Sequence, residues 1–347
     1  MRKLILKNSL SPGDIVMLTA AVRDLHQCHP NQFLTDVRTP CRALWENNPY
    51  LTKLDEQEPG VEVIDCHYPL IHRSNQLPRH FLEGFIAFLN ERLDLKITPT
   101  AFKGDIHLST REKLWFSQVR EIVGQDVPFW IVVAGGKRDF TIKWWSHQRF
   151  QEVVDYFRDK IQFVQVGEKG HAHRPLDGVI NLLGKTDARQ FVRLMYHAQG
   201  VLCPVTFAMH LAAVEVKAQS PKSKVQGRPC VVPAGGREPA HWEAYPQHQF
   251  IHTIGALRCC ETGGCWKART LPLGDGDPKD EPRHRCVDVV GDLPRCMDMI
   301  TAEEVIGRIE RYFQGGVVRY LSDRELEAAR AALAPKVAQD EPGLVAA

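Results

Sequence analysis

The stretch PFWIVVAGG, residues 128–136, decides how the chain is read. Its apolar run from Phe129 to Ala134 is rich in aromatic and β-branched residues and stops at two glycines, which predicts a buried strand ending in a turn. A helical pattern follows over 145–160, then a strand at 161–168, a helix at 187–199, a strand at 200–205, a helix at 207–218 and a strand at 228–236 that again runs into Ala-Gly-Gly. Strands alternating with helices imply parallel sheet built from βαβ units.

The same alternation precedes residue 128. Strands are expected at 3–8, 32–38, 61–71 and 104–109, with helices over 15–27, 40–48, 79–96 and 110–124. The pattern therefore restarts near 124–128. The expected organisation is a Rossmann-like domain over 1–125, a second over 126–315, and a terminal helix (322–335) and tail within 316–347. A length of 347 residues fits two domains. An apolar content of 44% supplies a core without covalent staples.

A formal net charge of +2 gives no bulk electrostatic case for nucleic acid. No apolar run approaches the roughly 18 residues of a membrane span, and the N-terminal run is too short for a secretory leader. A cytoplasmic protein is expected, and there a cysteine cluster points to metal binding or catalysis rather than to disulfides.

Ligands of parallel sheets bind at the carboxyl ends of strands. Three such ends carry polar residues. After the first strand, Gly13 permits a tight turn and Asp14 opens a helix, as an N-cap or as a general base. After 128–134, Gly135, Gly136 and Lys137 form either a surface turn or a phosphate-approach loop, with Lys143 following. Neither common phosphate-loop fingerprint is present. At Cys203-Pro204-Val205-Thr206, a strand meets a helix that begins Phe207-Ala208-Met209-His210. Thr206 and the helix N-terminus either cap and pack, or receive a diphosphate.

Taken in order, these segments resemble glycosyltransferase family 9, the ADP-heptose heptosyltransferases of the GT-B fold. The resemblance lies in Gly13-Asp14 with its apolar helix, in Lys143-Trp144-Trp145, in Gly184-Lys185-Thr186, and in Pro204 through Ala212. It spans roughly residues 3–313. It implies two Rossmann-like domains facing a cleft and a nucleotide-sugar donor, ADP-heptose. It also implies Asp14 as base, and Lys143 and Thr206 with the following helix stabilising the leaving diphosphate without a catalytic divalent metal. Lys185 and Glu168 are candidates for phosphate or ribose contact. Val205 and Phe207 depart from the family's Asp and Gly, which keeps a non-catalytic nucleotide-sugar-binding or regulatory protein as the alternative. The implied acceptor is a hydroxyl of a protein Ser or Thr, a glycan or a small molecule. His67, His72 and His80 would line its side of the cleft or are ordinary surface and core residues.

Five of the ten cysteines lie within 258–297. Similar Cys-containing segments occur in the autotransporter-heptosyltransferase branch of the family, which implies a structural iron or zinc held by Cys260, Cys265, Cys286 and Cys296, with Cys259 the alternative to Cys260. Relatives with such segments assemble into rings, so a homo-oligomer is a further implication. GDGDPKD, residues 274–280, lacks EF-hand spacing and reads as a solvated acidic loop.

Overall fold

A computed structural model describes residues 1–115, 117–214 and 227–314. The helix expected at 322–335, the tail, and residues 215–218 of the helix expected at 207–218 lie outside the described residues.

Leu4, Ile5 and Leu6 are fully buried at the centre of β1 (Arg2–Lys7), which pairs in parallel with β2 (Phe33–Arg38) and β3 (Val61–Asp65) in the order β2-β1-β3. The second sheet holds β4 (Phe129–Val132), β5 (Gln162–Gly167), β6 (Ile180–Leu183), β7 (Gly200–Leu202), β8 (Cys230–Gly235) and β9 (His248–His252). All of its neighbours are parallel and the order is β6-β5-β4-β7-β8-β9. Counted within that sheet this is 3-2-1-4-5-6, the doubly wound order whose ligand crevice opens where the order reverses, between β4 and β7. In the first sheet the reversal lies between β1 and β3.

Helix α1 (Pro12–Cys28) is buried on every side from Ile15 to Leu25. A helix apolar all round needs cover all round. It packs against α2 (Glu83–Leu93) of its own half and against α7 (Phe207–Val214) of the other, so one apolar cluster runs through both halves. The remaining helices are α3 (Thr110–Leu114), α4 (Gln118–Val123), α5 (His147–Tyr156), α6 (Ala188–His197), α8 (Ala240–Glu243), α9 (Arg295–Asp298) and α10 (Ala302–Phe313). α10 buries Val305, Ile309 and Tyr312 against α5 and β8.

Several expectations are corrected. No strand forms at 104–109. Arg23 instead donates to the Gly104 carbonyl at 3.4 Å and the Asp105 amide donates to Thr19 Oγ1 at 2.8 Å, so side chains of α1 take up the backbone where a ladder would have begun. The helix expected at 110–124 is two, each restarted by its own serine cap at Ser109 and Ser117. β3 stops at Asp65 and a 3-10 turn takes over at Pro69–Arg73. β6 and β9 were not expected: INLL is only four residues, and HQFIH carries polar residues that hide an all-parallel edge strand. The acidic loop is not merely solvated. Asp275 and Asp280 close on the buried guanidinium of Arg269, and Asp277 lies 3.7 Å from it. A cation of the chain itself thus fills the nest that the carboxylates form.

Candidate active site in the crevice between the sheets

The loops that leave β1 and β3 meet those that leave β4, β7 and β8. Asp14 is the third residue of α1. Its Oδ2 accepts from the Ser11 amide at 3.1 Å and its Oδ1 accepts from the Tyr68 hydroxyl at 2.7 Å. Asp14 is therefore not the N-cap; Ser11 holds that position. Burial raises the Asp14 carboxyl above its ordinary range, against the pull of Tyr68 and Lys143.

Gly13 admits the neighbour from the other half. A Cβ built there would stand 3.0 Å from His210 Cδ2, so a side chain larger than hydrogen would push α7 away. His210 Nδ1 and Tyr245 Oη are 2.9 Å apart, and His210 Nε2 lies 3.5 Å from Glu243 Oε2. Burial holds this imidazole well below its usual range and therefore neutral.

Lys143 ends the 3-10 turn after β4, and its ammonium lies 2.6 Å from Glu238 Oε1. Arg237, just after β8, shares that oxygen. Asp14 and Lys143 lie close enough to shift one another's proton affinity. The crevice thus gathers Asp14, Lys143, Arg237, Glu238, Glu243 and His210. Four buried polar atoms around it have no hydrogen-bond partner among the described residues: Trp144 Nε1, Thr206 Oγ1, Glu238 Oε2 and Glu243 Oε2. Buried polar atoms are seldom left unpaired, so each of these calls for a partner that the described residues do not supply.

The candidates fall into two sets. Gly13, Asp14, Lys143, Thr206 and His210 come together, with Phe207, Ala208 and Met209 forming the first turn of α7. Lys137 crosses the crevice to donate to Ser11 Oγ at 3.0 Å. Gly135 has φ +112°, and the Gly136 amide is already committed to the Ala172 carbonyl at 3.1 Å. Glu168 is exposed and faces His171, and Lys185 is exposed and turns back to the Asn181 carbonyl. His80 is buried between the rings of Phe102 and Tyr245, and His67 meets Phe88. Sequence reasoning missed Tyr68, Arg237, Glu238 and Glu243. The strand-end rule reaches Tyr68 after β3 and the Arg237-Glu238 pair after Gly235-Gly236.

Lys143 and Glu243 are displaced toward each other. Burial lowers Lys143 to about 7, Arg237 adding to the shift and Glu243 opposing it. Burial raises Glu243 to about 7, Lys143 and Arg237 opposing it. Between 4.5 and about 7 the folded chain holds a proton on Glu243 that the unfolded chain has lost, so this group lowers stability as pH rises. Between about 7 and 10.5 the unfolded chain holds a proton on Lys143 that the folded chain lacks, so there stability rises with pH. Thermal midpoints across pH 5–10 are expected to show Glu243→Gln flattening the acid-side fall and Lys143→Met flattening the alkaline-side rise. Unchanged profiles would place both groups in water.

The Cys-rich segment packs beneath this turn. A Cβ on Gly236 would meet Cys260 Sγ at 2.9 Å and Cys296 Cβ at 3.5 Å. The amides of Cys265 and Trp266 donate to the carbonyls of Gly236 and Arg237. Burial and neighbouring thiols raise Cys259 to about 11 and Cys296 to about 12. Among the described residues, no three His, Cys, Asp or Glu side chains stand in an arrangement that could hold a metal ion. Thiolate as a donor type suits iron or zinc.

Two parallel α/β sheets with ionisable loops facing across a crevice define a mixed α/β fold of the kind found in glycosyltransferase family 9 structures. The chain is similar to the family 9 glycosyl transferase from Veillonella parvula DSM 2008, with 15% identity over 89% of this chain and 96% of that one and a TM-score of 0.60. It is similar to the E. coli ADP-heptose LPS heptosyltransferase II, with 16% identity over 89% and 98% and a TM-score of 0.52. It is also similar to TibC, an iron-containing dodecameric glycosyltransferase from enterotoxigenic E. coli H10407, with 15% identity over 89% and 75% and a TM-score of 0.55. At these identities the likeness establishes the fold. No protein-family model matches the sequence, and no curated protein matches it. Among the described residues no helix is long and apolar enough to cross a membrane.

Proposed function

We propose that the chain is a glycosyltransferase that moves a heptose from ADP-heptose to an acceptor hydroxyl, with inversion at the anomeric carbon. The observation that carries this reading is that Asp14 and Lys143, from different halves, face one crevice. Asp14 takes the acceptor proton as the hydroxyl oxygen bonds to the anomeric carbon, and the bond from that carbon to the diphosphate oxygen breaks. ADP leaves with growing negative charge. Lys143, Thr206 and the N-terminus of α7 stabilise it in the role a divalent ion plays elsewhere. We assign Lys137, Lys185 and Glu168 to the donor side. A structure of TibC holds ADP-D-β-D-heptose, and that chain has the same fold at 14% identity, which supports the choice of donor.

Incubation with labelled ADP-heptose and an extract of the host tests the reading. Release of ADP with transfer of label to an acceptor is expected. Binding of ADP-heptose without release or transfer would favour a nucleotide-sugar-binding protein, the reading to which buried Val205, just before α7, and half-buried Phe207, its first residue, lend support.

We place a structural iron or zinc in the Cys-rich segment, with Cys260, Cys265, Cys286 and Cys296 as ligands and Cys259 able to replace Cys260. Four thiolates fill a tetrahedral site and leave no position for substrate, so the ion would stabilise the segment. TibC, of the same fold, contains iron and is dodecameric, which supports a metal and a homo-oligomer here. Elemental analysis of the purified chain is expected to give about one equivalent of iron plus zinc, with chelation lowering the thermal midpoint. A well-folded preparation without either metal would remove the site.

A further inference from the structure

Arg237 and Glu238 follow the Gly235-Gly236 turn at the carboxyl end of β8, the strand beside β7. The guanidinium of Arg237 is held rigidly. Its Nε donates to the Lys267 carbonyl at 2.6 Å, and its carbon lies 5.1 Å from the ring centroids of both Phe140 and Trp266. Nη1 donates to Glu238 Oε1, and the Lys143 ammonium lies 2.6 Å from that same oxygen. Two cations from separate segments thus converge on one carboxylate oxygen. The second oxygen of Glu238 is buried and has no hydrogen-bond partner among the described residues, and Glu238 itself is only 3% exposed. Nor does any hydrogen bond among the described residues use Arg237 Nη2.

A purely structural ion triad would satisfy both carboxylate oxygens, because an orphaned buried one is costly. The unused donors, Arg237 Nη2 and Thr206 Oγ1, match an anion that offers several oxygens, whereas the acceptor Glu238 Oε2 does not and would have to give way to it. A diphosphate presents oxygens to a planar guanidinium and a point ammonium together, with Thr206 Oγ1 among the unpartnered donors of the same crevice.

We infer that Arg237 is a second phosphate-binding cation of this site, and that Glu238 is an internal counter-ion which a diphosphate displaces from Arg237 and Lys143. The inference rests on the donor reading above and names residues that reading does not use. Glu238 holds both cations on one oxygen and offsets one of their two charges, and its rotation away on binding exposes both to the ligand.

The test is calorimetric titration of the full chain with inorganic pyrophosphate and, separately, with ADP. Arg237→Met is expected to weaken pyrophosphate binding by about tenfold or more, the scale of a charge-assisted hydrogen bond. Glu238→Gln is expected to tighten it by about tenfold, since the competing charge is gone. A structural role predicts no tightening from Glu238→Gln. Should Arg237→Met fail to fold, Arg237→Lys replaces it and is expected to weaken binding, because the fork geometry is lost. Pyrophosphate affinity within about twofold of wild type in the Arg237 variant, or no tightening in Glu238→Gln, overturns the inference. Arg237-dependent binding of pyrophosphate without binding of ADP upholds it and sinks the nucleotide donor. Equal ADP binding by wild type and Arg237→Met does the reverse. No binding of either probe sinks both.

Discussion

Asp14→Ala is expected to lower sugar transfer from ADP-heptose by about 10²–10⁴-fold, the range general bases supply, while ADP binding is retained. The two halves of that expectation come from different contacts. The carboxylate receives its hydrogen bonds from the Ser11 amide and the Tyr68 hydroxyl, on the side of the crevice built by β1 and β3. The cations that would face the diphosphate follow β4 and β8. Asp14→Asn separates shape from proton transfer: it can still accept from Tyr68 but cannot take a proton, so its loss should match that of the alanine variant. Because burial raises this carboxyl above its ordinary range, the acid limb of the pH–rate profile should lie above that range, with the rate falling as pH drops through it. Near-normal turnover in either variant would remove Asp14 from the chemistry.

Asp24→Ala carries the largest expected effect on stability, about 3–5 kcal/mol, the cost of leaving a buried charge unpaired. Arg23 and Asp24 sit within α1 with side chains 4% and 0% exposed. Arg23 donates to both oxygens of Asp24 and to the carbonyls of Ala101 and Lys103, and Asp24 also accepts from the Thr100 amide and hydroxyl. Removing the carboxylate strands the guanidinium and two donors of the segment that lies against α1. Urea denaturation measures the loss. The double variant Arg23→Met with Asp24→Leu should recover most of it, since a buried pair is often replaceable by apolar residues of similar size. A single-variant loss below about 1 kcal/mol would mean that water reaches the pair.

The sequence announced elements where local chemistry was decisive. The apolar runs at 4–6 and 129–134, cut by Pro-Gly or Gly-Gly, leave little choice but strands feeding turns. The segment 104–109 failed because its backbone partners are side chains eighty residues away on α1, which no local window contains. β9 failed because a parallel edge strand tolerates His and Gln. At the site, Asp14 and Lys143 were visible as polar residues at strand ends. Arg237 and Glu238 satisfy the same rule after β8, but their importance depends on sharing an oxygen with Lys143, a fact of three dimensions. Tyr68 was read as part of a strand, and only the stop at Asp65 frees it to reach Asp14. The cysteines stood out by density, whereas their position beneath the Gly236 turn could not be read from spacing.

That position has a mechanical side. The forty-residue Cys-rich segment is wedged under the cation-bearing turn at one end. At Gly264 it is latched to the opposite half, where Asn75 gives and takes one hydrogen bond, each 2.9 Å long. It therefore braces the turn that bears Arg237 and Glu238 against the half that carries Asp14. The brace lies in a segment that carries none of the candidate catalytic side chains, so its rigidity bears on where Arg237 and Asp14 stand rather than on what either does.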